Sequence, residues 1–337
     1  MVTQLTRTTE TAPNNGPPPV GRHRKSTGTL AARENRAGLA FVSPTLLVVL
    51  VVVVIPIAWT VLLAFQHSRL VDIQANGLFG NWTWENFDQV FAQGFWSSLW
   101  TTLLYTVGAT FGSVALGLVA ALALRTPFRG RALLRGAMLL PYVAPVVAVT
   151  FVWEVILSPQ YGLINEWGTK YLGWDDPIAF LSQREHDISL LGIDLPVPVA
   201  LLTVIAFEVW RYFPFAFLFL LARLQAVPTS LEEAATVDGA SLLQRFRYIL
   251  LPQLMPVIAL LSVLRFIMTF NKFDDVYLLT GGGADTEVVA VRVYDFLTAR
   301  SDAGAAAAQA LVLALVLAIF LGLYFKFLTK KLQEESS

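Results

Sequence analysis

The sequence predicts an all-α integral membrane protein with six transmembrane helices, and three observations carry that prediction. Hydrophobic residues make up 55% of the 337 and charged residues only 14%, with a mean hydropathy of +0.60, too apolar for an ordinary soluble domain. Six stretches, 38–66, 97–124, 132–157, 198–223, 253–279 and 305–328, can cross a hydrocarbon core about 30 Å thick at about 1.5 Å per helical residue. The basic residues then alternate between the two sides. Sixteen Lys and Arg fall in the first tail, the 125–135 connection, the 224–252 connection with Arg223 at its edge, and the C-terminal end, and five in the other connections. By the positive-inside rule both termini are cytoplasmic.

Residues 1–36, rich in Pro, Gly, Thr, Asn and basic side chains, are too polar to bury a core and read as a disordered basic cytoplasmic tail. The apolar run from Ala37 is longer than the core of a cleavable signal peptide and has no small-residue cleavage site at its end, so it reads as an uncleaved first span. It opens a membrane domain over 37–329, followed by a short cytoplasmic tail, 330–337. In the first external connection, 67–96, Trp82, Trp84, Phe87, Phe95 and Trp96 suit the membrane interface, where an apolar ring and a polar edge are both satisfied.

The third span is interrupted by Pro141 and Pro145, and the fifth by Asn271, Lys272, Asp274 and Asp275. Both are kept, because dropping either would place the basic Arg125–Arg135 loop outside or break the charge bias downstream. The second external connection, 158–197, carries Pro159, Gly162, Trp167, Trp174 and Pro177 and is long enough for a small structured cap. The third, 280–304, opens with Thr280, Gly281, Gly282 and Gly283, whose glycines allow backbone conformations that a side chain forbids. All three face one side, so a soluble partner docking there would reach them together.

The cytoplasmic connection 224–252 is long and not of low complexity, which in a compact membrane protein marks function. It reads as helix, turn, helix. Pro228-Thr229-Ser230 opens the first segment with Thr229 or Ser230 as N-cap, and Glu232 or Glu233 sits in its first turn, where the helix dipole favours an acid. Gly239 permits the reversal, and Leu242, Leu243, Phe246 and Ile249 follow at helical spacing. The motif is Glu233-Ala234-Ala235, three residues, Gly239, nine residues, then Ile249-Leu250-Leu251-Pro252. Small residues let a partner backbone approach, Gly239 bends the knob, Glu233 and Asp238 offer charges to basic partners, and Ile249, Leu251 and Pro252 tie it to the next span. An amphipathic helix lying on the membrane surface is the plainer alternative.

Within the spans, Glu154, Glu208, Arg211, Arg265, Asn271, Lys272, Asp274 and Asp275 are costly in lipid and mark the bundle interior or a watery path, unless they snorkel from span ends. Trp153, Trp210, Tyr212, Phe213, Phe270, Phe273 and Tyr277 interleave with them. Aromatic platforms beside carboxylate and amide groups suit sugar rings, with their apolar faces and hydroxyl rims, and equally suit ordinary helix packing. Trp153, Glu154, Glu208, Trp210, Asn271, Phe273, Asp274 and Tyr277 are the candidate pore and substrate path. Catalytic chemistry finds no support: G-x-x-x-x-G-K-[ST], HExxH and G-x-S-x-G are all missing, and the three histidines, His23, His67 and His186, lie in the tail and external connections. The chain has no cysteine, hence no disulfide framework and no thiolate metal site. No metal ligands are expected. A formal net charge of zero gives no reason to expect nucleic acid.

From Trp84 to the last helix the sequence resembles the binding-protein-dependent sugar permeases of ATP-binding-cassette (ABC) importers, of the maltose and glycerol-phosphate transporter type. Beside the 233–252 motif, the matching stretches are Trp84-Glu85-Asn86-Phe87, Leu140-Pro141, Tyr161 to Asn165, Glu208-Val209-Trp210 with Pro214-Phe215, and Phe270 to Asp274 leading into Tyr277 to Gly283. The resemblance implies a type I importer permease fold and half of a translocation pore for a sugar or oligosaccharide in a bacterial inner membrane. Its implied partners are a second six-helix permease, two ATPase subunits holding ATP and Mg, and an extracytoplasmic solute-binding protein that meets Thr280, Gly281, Gly282 and Gly283. Glu233, Ala234, Ala235 and Gly239 would form a cytoplasmic coupling helix seated in an ATPase groove. This chain itself would hold no cofactor. The Gly281–Gly283 loop is shorter than the common family pattern, and 158–197 is far smaller than the inserted domain of the maltose permease. A polyol, a glycerol-phosphate ester or another organic solute is the alternative cargo, and a gradient-driven secondary transporter the alternative class.

Overall fold

The computed structural model describes residues 38, 40–70, 81–190 and 193–336; the tail expected over 1–36 lies outside them. Among the described residues five helices are long and apolar enough to span a membrane, and a bent helix pair makes six if it is counted as one span. The chain divides into two units, Met1–Ala58 and Trp59–Ser337. The first holds most of α1 (Ala40–Ala64), whose residues through Ile57 are exposed.

In the second unit the elements follow as β1 (Gln66–His67), β2 (Asn81–Trp82), α2 (Glu85–Ala92), α3 (Phe95–Ala123), α4 (Arg131–Met138), α5 (Leu140–Val143), α6 (Val146–Leu157) and α7 (Leu163–Tyr171). Then come β3 (His186–Leu190), β4 (Ile193–Val197), α8 (Val199–Gln225), α9 (Thr229–Val237), α10 (Leu242–Phe270), α11 (Asp274–Thr280), α12 (Val289–Thr298) and α13 (Ala303–Ser336). The all-α expectation is met apart from two antiparallel ribbons, β1 with β2 and β3 with β4. The cap expected over 158–197 is α7 plus the second ribbon. Within the short tail expected over 330–337, α13 continues as helix through Ser336.

The third span is not one helix. It runs as Arg131–Val143 and Val146–Leu157, bent by 98°, because Pro145 forces Ala144 out of the helical region, to ψ 142. The fifth span, expected over 253–279, is shifted: it begins at Leu242 and stops at Phe270. Its start is fixed by a capping box, in which Ser241 Oγ accepts from the Gln244 amide and Gln244 Oε1 accepts from the Ser241 amide. At its end Asn271 leaves the helix and donates its side-chain amide to the Ile267 carbonyl. The Asp274–Thr280 stretch is a separate helix, closed by Gly281 at φ +62°.

Proline shapes α1 and α10 alike. Each carries one wide i→i+5 turn, Leu50–Val54 before Pro56 and Phe246–Leu250 before Pro252. Proline has no N–H to give and its ring crowds the carbonyl four residues back. The preceding amide, of Ile55 or Leu251, therefore bonds five residues back, to Leu50 or Phe246, so the helix widens instead of breaking.

The core of the second unit is α3 against α8. A row of glycines on α3 lets the backbones close: a Cβ on Gly117 would stand 2.7 Å from the Ala216 Cβ and 2.8 Å from the Phe217 nitrogen. Gly108 and Gly112 face Ile205 and Val209 in the same way. Small residues at such contacts let van der Waals packing hold helices together in lipid, where the hydrophobic effect does not.

Candidate functional site

The 224–252 segment folds as a projecting helix and turn. Pro228 stands at the N-cap of α9 and no side chain caps it, so neither Thr229 nor Ser230 takes the capping role expected of it. Glu232 and Ala235 are half-buried, whereas Ser230, Glu233, Ala234 and Val237 are exposed, Val237 at 88%. Asp238 and Gly239 form the exposed turn, with Gly239 at φ +79° and no atom within 4 Å of where a Cβ would lie. Ile249 and Leu251 are half-buried and Pro252 exposed in the first turns of α10. Two contacts tie α9 down: Glu232 pairs with Arg125 at the end of α3, and Thr236 accepts from Arg245 of α10 at 2.9 Å. Glu233 and Asp238, expected to offer charge to a basic partner, are exposed, and the ion pair within the chain forms at the half-buried Glu232.

α8, the last turns of α10 and α11 enclose a charged cluster. Glu208 and Arg265 form an ion pair of 2.6 Å with side chains 0% and 1% exposed, and Thr269 donates to the same Glu208 oxygen at 3.3 Å. The Arg265 guanidinium lies 4.2 Å over the Tyr212 ring, and Lys272 Nζ donates to the Tyr212 hydroxyl at 2.6 Å. Lys272 also pairs with Asp274 at 3.1 Å and approaches Asp275 at 3.4 Å. Neither Asp275 oxygen has a hydrogen bond among the described residues, and the same holds for Glu208 Oε2, Tyr105 Oη and the Arg211 Nε and Nη1. Buried charge in lipid persists only where it is paired or meets a watery path, and this cluster combines tight pairs with open valences.

The expected path residues divide between this cluster and its margin. Glu208 and Asp274 belong to it, and Asn271 is exposed beside it at the end of α10. Phe273 and Tyr277 stack at 4.9 Å and meet Tyr294 at 4.8 and 4.9 Å. Trp153 packs on Phe207 at 5.2 Å and Trp210 at 5.6 Å. Glu154, next to Trp153, is exposed on an otherwise apolar α6.

At the opposite end from the 224–252 segment, Gly281 and Gly282 take φ +62° and +82°. Thr280 and Thr286 close the loop through their hydroxyls at 2.5 Å, and Thr286 donates to the Gly283 carbonyl at 2.7 Å. Beside it lies a polar cavity of about 380 Å³ whose wall includes Ser98, Arg184, Asp285, Glu287 and Arg292. Arg184 holds Asp285 at 2.6 Å, and Ser98 donates to Glu287 at 2.6 Å. On α12, burial and then the neighbouring Glu287 hold the Asp295 carboxyl above its ordinary range. Among the described residues no group of three or more His, Asp and Glu side chains converges on a metal position.

A bundle of apolar helices with buried charge at its centre and a helical knob at one end is the build of a multi-pass membrane permease. The model of one family, described as "Binding-protein-dependent transport system inner membrane component", matches residues 113–334, and the chain belongs to that family of ABC-importer permeases. It is 40% identical to the inner membrane ABC transporter permease protein YcjO of Escherichia coli over 65% of this chain and 70% of that protein. It is 34% identical to the trehalose/maltose transport system permease protein MalF of Thermococcus litoralis over 80% of this chain and 85% of that one. A crystal structure of a bacterial ABC transporter that imports the acidic polysaccharide alginate superposes at TM-score 0.71, with 19% identity, over 88% of this chain and 96% of that one, which shows the shared fold. The chain is thus a permease-type subunit homologous to those of sugar importers, located in the inner membrane.

Sequence reading missed Arg125 and Tyr105, and it took Glu232 only for a first-turn acid. The Ser241-x-x-Gln244 capping box was visible as a motif, whereas nothing local links Arg125 to Glu232.

Proposed function

We propose that the chain imports a sugar or oligosaccharide as one half of a pore, with a second permease, two ATPase subunits and an extracytoplasmic solute-binding protein as partners. The carrying observation is the two-sidedness of α9. Its Glu232 side is tied to the rest of the chain, and its Glu233, Ala234 and Val237 side, with Asp238 and Gly239, is exposed. Such a helix fits the role of a coupling element that seats in an ATPase groove, with Ala235 at its edge and Ile249, Leu251 and Pro252 joining it to α10. Closure of the ATPases on ATP and arrival of the loaded binding protein then bias the same two-state pore, each through its differential affinity for one state. The relatives named for trehalose and maltose support a sugar cargo. Trp153, Trp210, Phe273 and Tyr277, with Glu154, Glu208, Asn271 and Asp274, supply rings and hydrogen-bonding groups along the path. The Thr280–Gly283 loop is the proposed contact for the binding protein.

Arg211 favours a second cargo class. It is 8% exposed, and its Nε and Nη1 have no partner among the described residues, so a carboxylate or phosphate ester on the solute would complete it.

The test is Gly239→Asp and Glu233→Lys in the assembled transporter. Both should abolish ATP-driven uptake while leaving the thermal midpoint of this subunit within a few degrees of its natural value. Normal uptake in both variants would exclude the coupling assignment. Uptake driven by a proton or sodium gradient without any ATPase would exclude the class of machine.

A further inference from the structure

We infer that Glu232 and Arg125 form an internal strut that delivers movement of α9 to α3, so that two adjacent glutamates serve different faces of the same helix. The inference rests on the coupling reading of α9 and adds a positioning pair to it.

The carboxylate of Glu232 and the guanidinium of Arg125 pair with side chains only 17% and 23% exposed, so solvent screens them less than a surface pair. Arg125 is itself held. Its carbonyl accepts from Arg131 at 3.1 Å, and the preceding Leu124 carbonyl accepts from Arg135 at 2.7 Å. The end of α3 is therefore a fixed corner, from which α3 runs along α8 through the Gly108, Gly112 and Gly117 contacts. On the same face of α9 Thr236, one turn after Glu232, is gripped by Arg245. α9 thus stands between two attachments, to α3 and to α10. The hydrogen bond to Thr236 is neutral on one side, whereas the Arg125 pair is charged on both sides and correspondingly stronger. Glu233, one residue on, points about 100° away around the helix and is exposed. The outer glutamate meets the partner; the inner one passes the motion inward.

The chain has no cysteine, so spin labels at Ala123→Cys on α3 and Leu231→Cys on α9 are site-specific on this subunit. In the complete transporter, their separation is measured by pulsed electron resonance without nucleotide and with ATP plus vanadate. The strut requires one separation in both conditions in the natural background. It also requires a nucleotide-dependent change in Glu232→Arg and in Arg125→Glu, and a return to one separation in the double charge swap. A separation that changes with nucleotide in the natural background overturns it. Single variants that keep one separation, or a double swap no better than the singles, overturn it as well. Where a single variant fails to assemble, the swap must recover both assembly and the single separation, and its failure to do so also counts against the strut. The coupling reading fails separately, by ATPase subunits that still copurify with and energise Gly239→Asp.

Discussion

Glu208 and Arg265 show what one residue costs when its partner is withdrawn. Both are fully enclosed and 2.6 Å apart, and removing one partner of such a pair typically costs about 3–5 kcal/mol, because the other charge is left buried alone. Glu208→Leu should therefore lower the thermal midpoint of the solubilised subunit sharply. Glu208→Leu with Arg265→Met, an apolar pair of similar volume, should recover most of that loss. An unchanged midpoint in the single variant would show that water reaches the pair. In the sequence, each of these residues stood out as a charge inside a span. Their pairing did not, since 57 residues separate them and the helical pattern gives no register between distant helices. The same limit hid the pairing of Arg125 with Glu232, 107 residues apart.

Helices and turns were more legible where a single residue type dictates geometry. Gly239 and Gly281 signalled reversals because only glycine adopts positive φ without strain, and Pro145 signalled an interruption. The size of that interruption, 98°, was not readable, because packing decides whether proline kinks a helix or splits it. Nor was the joining of two helices: Leu242, Leu243, Phe246 and Ile249 read as a short cytoplasmic helix separate from the span, whereas the chain runs from the Ser241 cap to Phe270 as one helix. Glycines on α3 carry a prediction of their own. At Gly117 a Cβ would meet backbone and Ala216, which cannot turn aside, while at Gly108 it would meet the tip of Ile205 at 3.2 Å. Gly117→Ala should cost about 1–3 kcal/mol through overpacking and Gly108→Ala visibly less. Thermal midpoints of the two variants in detergent give the order, and a reversed order would mean that α3 and α8 separate easily.

At the scale of the whole molecule, a bundle of five to six long apolar helices was legible from hydropathy alone, since the bilayer sets their length. The complex was legible only through the 233–252 motif and the family pattern. Purification of the chain from its native membrane in mild detergent should bring down a second permease, an ATPase with a phosphate-binding loop and a solute-binding protein, identified by mass spectrometry. Gly239→Asp should lose the ATPase and keep the second permease. Loss of both together would mean that the knob holds the assembly rather than conveying its motion. In the second unit, three groups of charged residues stand out as stations: the knob, the Glu208–Arg265 cluster and the polar cavity beside Thr280–Gly283.

One rod joins two of those stations. α10 begins at the Ser241 cap, carries Arg245 near its base and Arg265 further along, and ends at Asn271. At 29 residues it is about 43 Å long, and it has a single wide turn near the base, between Phe246 and Leu250. Such a rod works as a crankshaft. A twist of about 20° applied at Arg245 would swing side-chain ends about 6 Å from the axis through about 2 Å, enough to unseat the 2.6 Å contact between Arg265 and Glu208. The knob then needs no vertical stroke to reach the Glu208–Arg265 pair: torque suffices, and the wide turn sets how much of it is lost on the way.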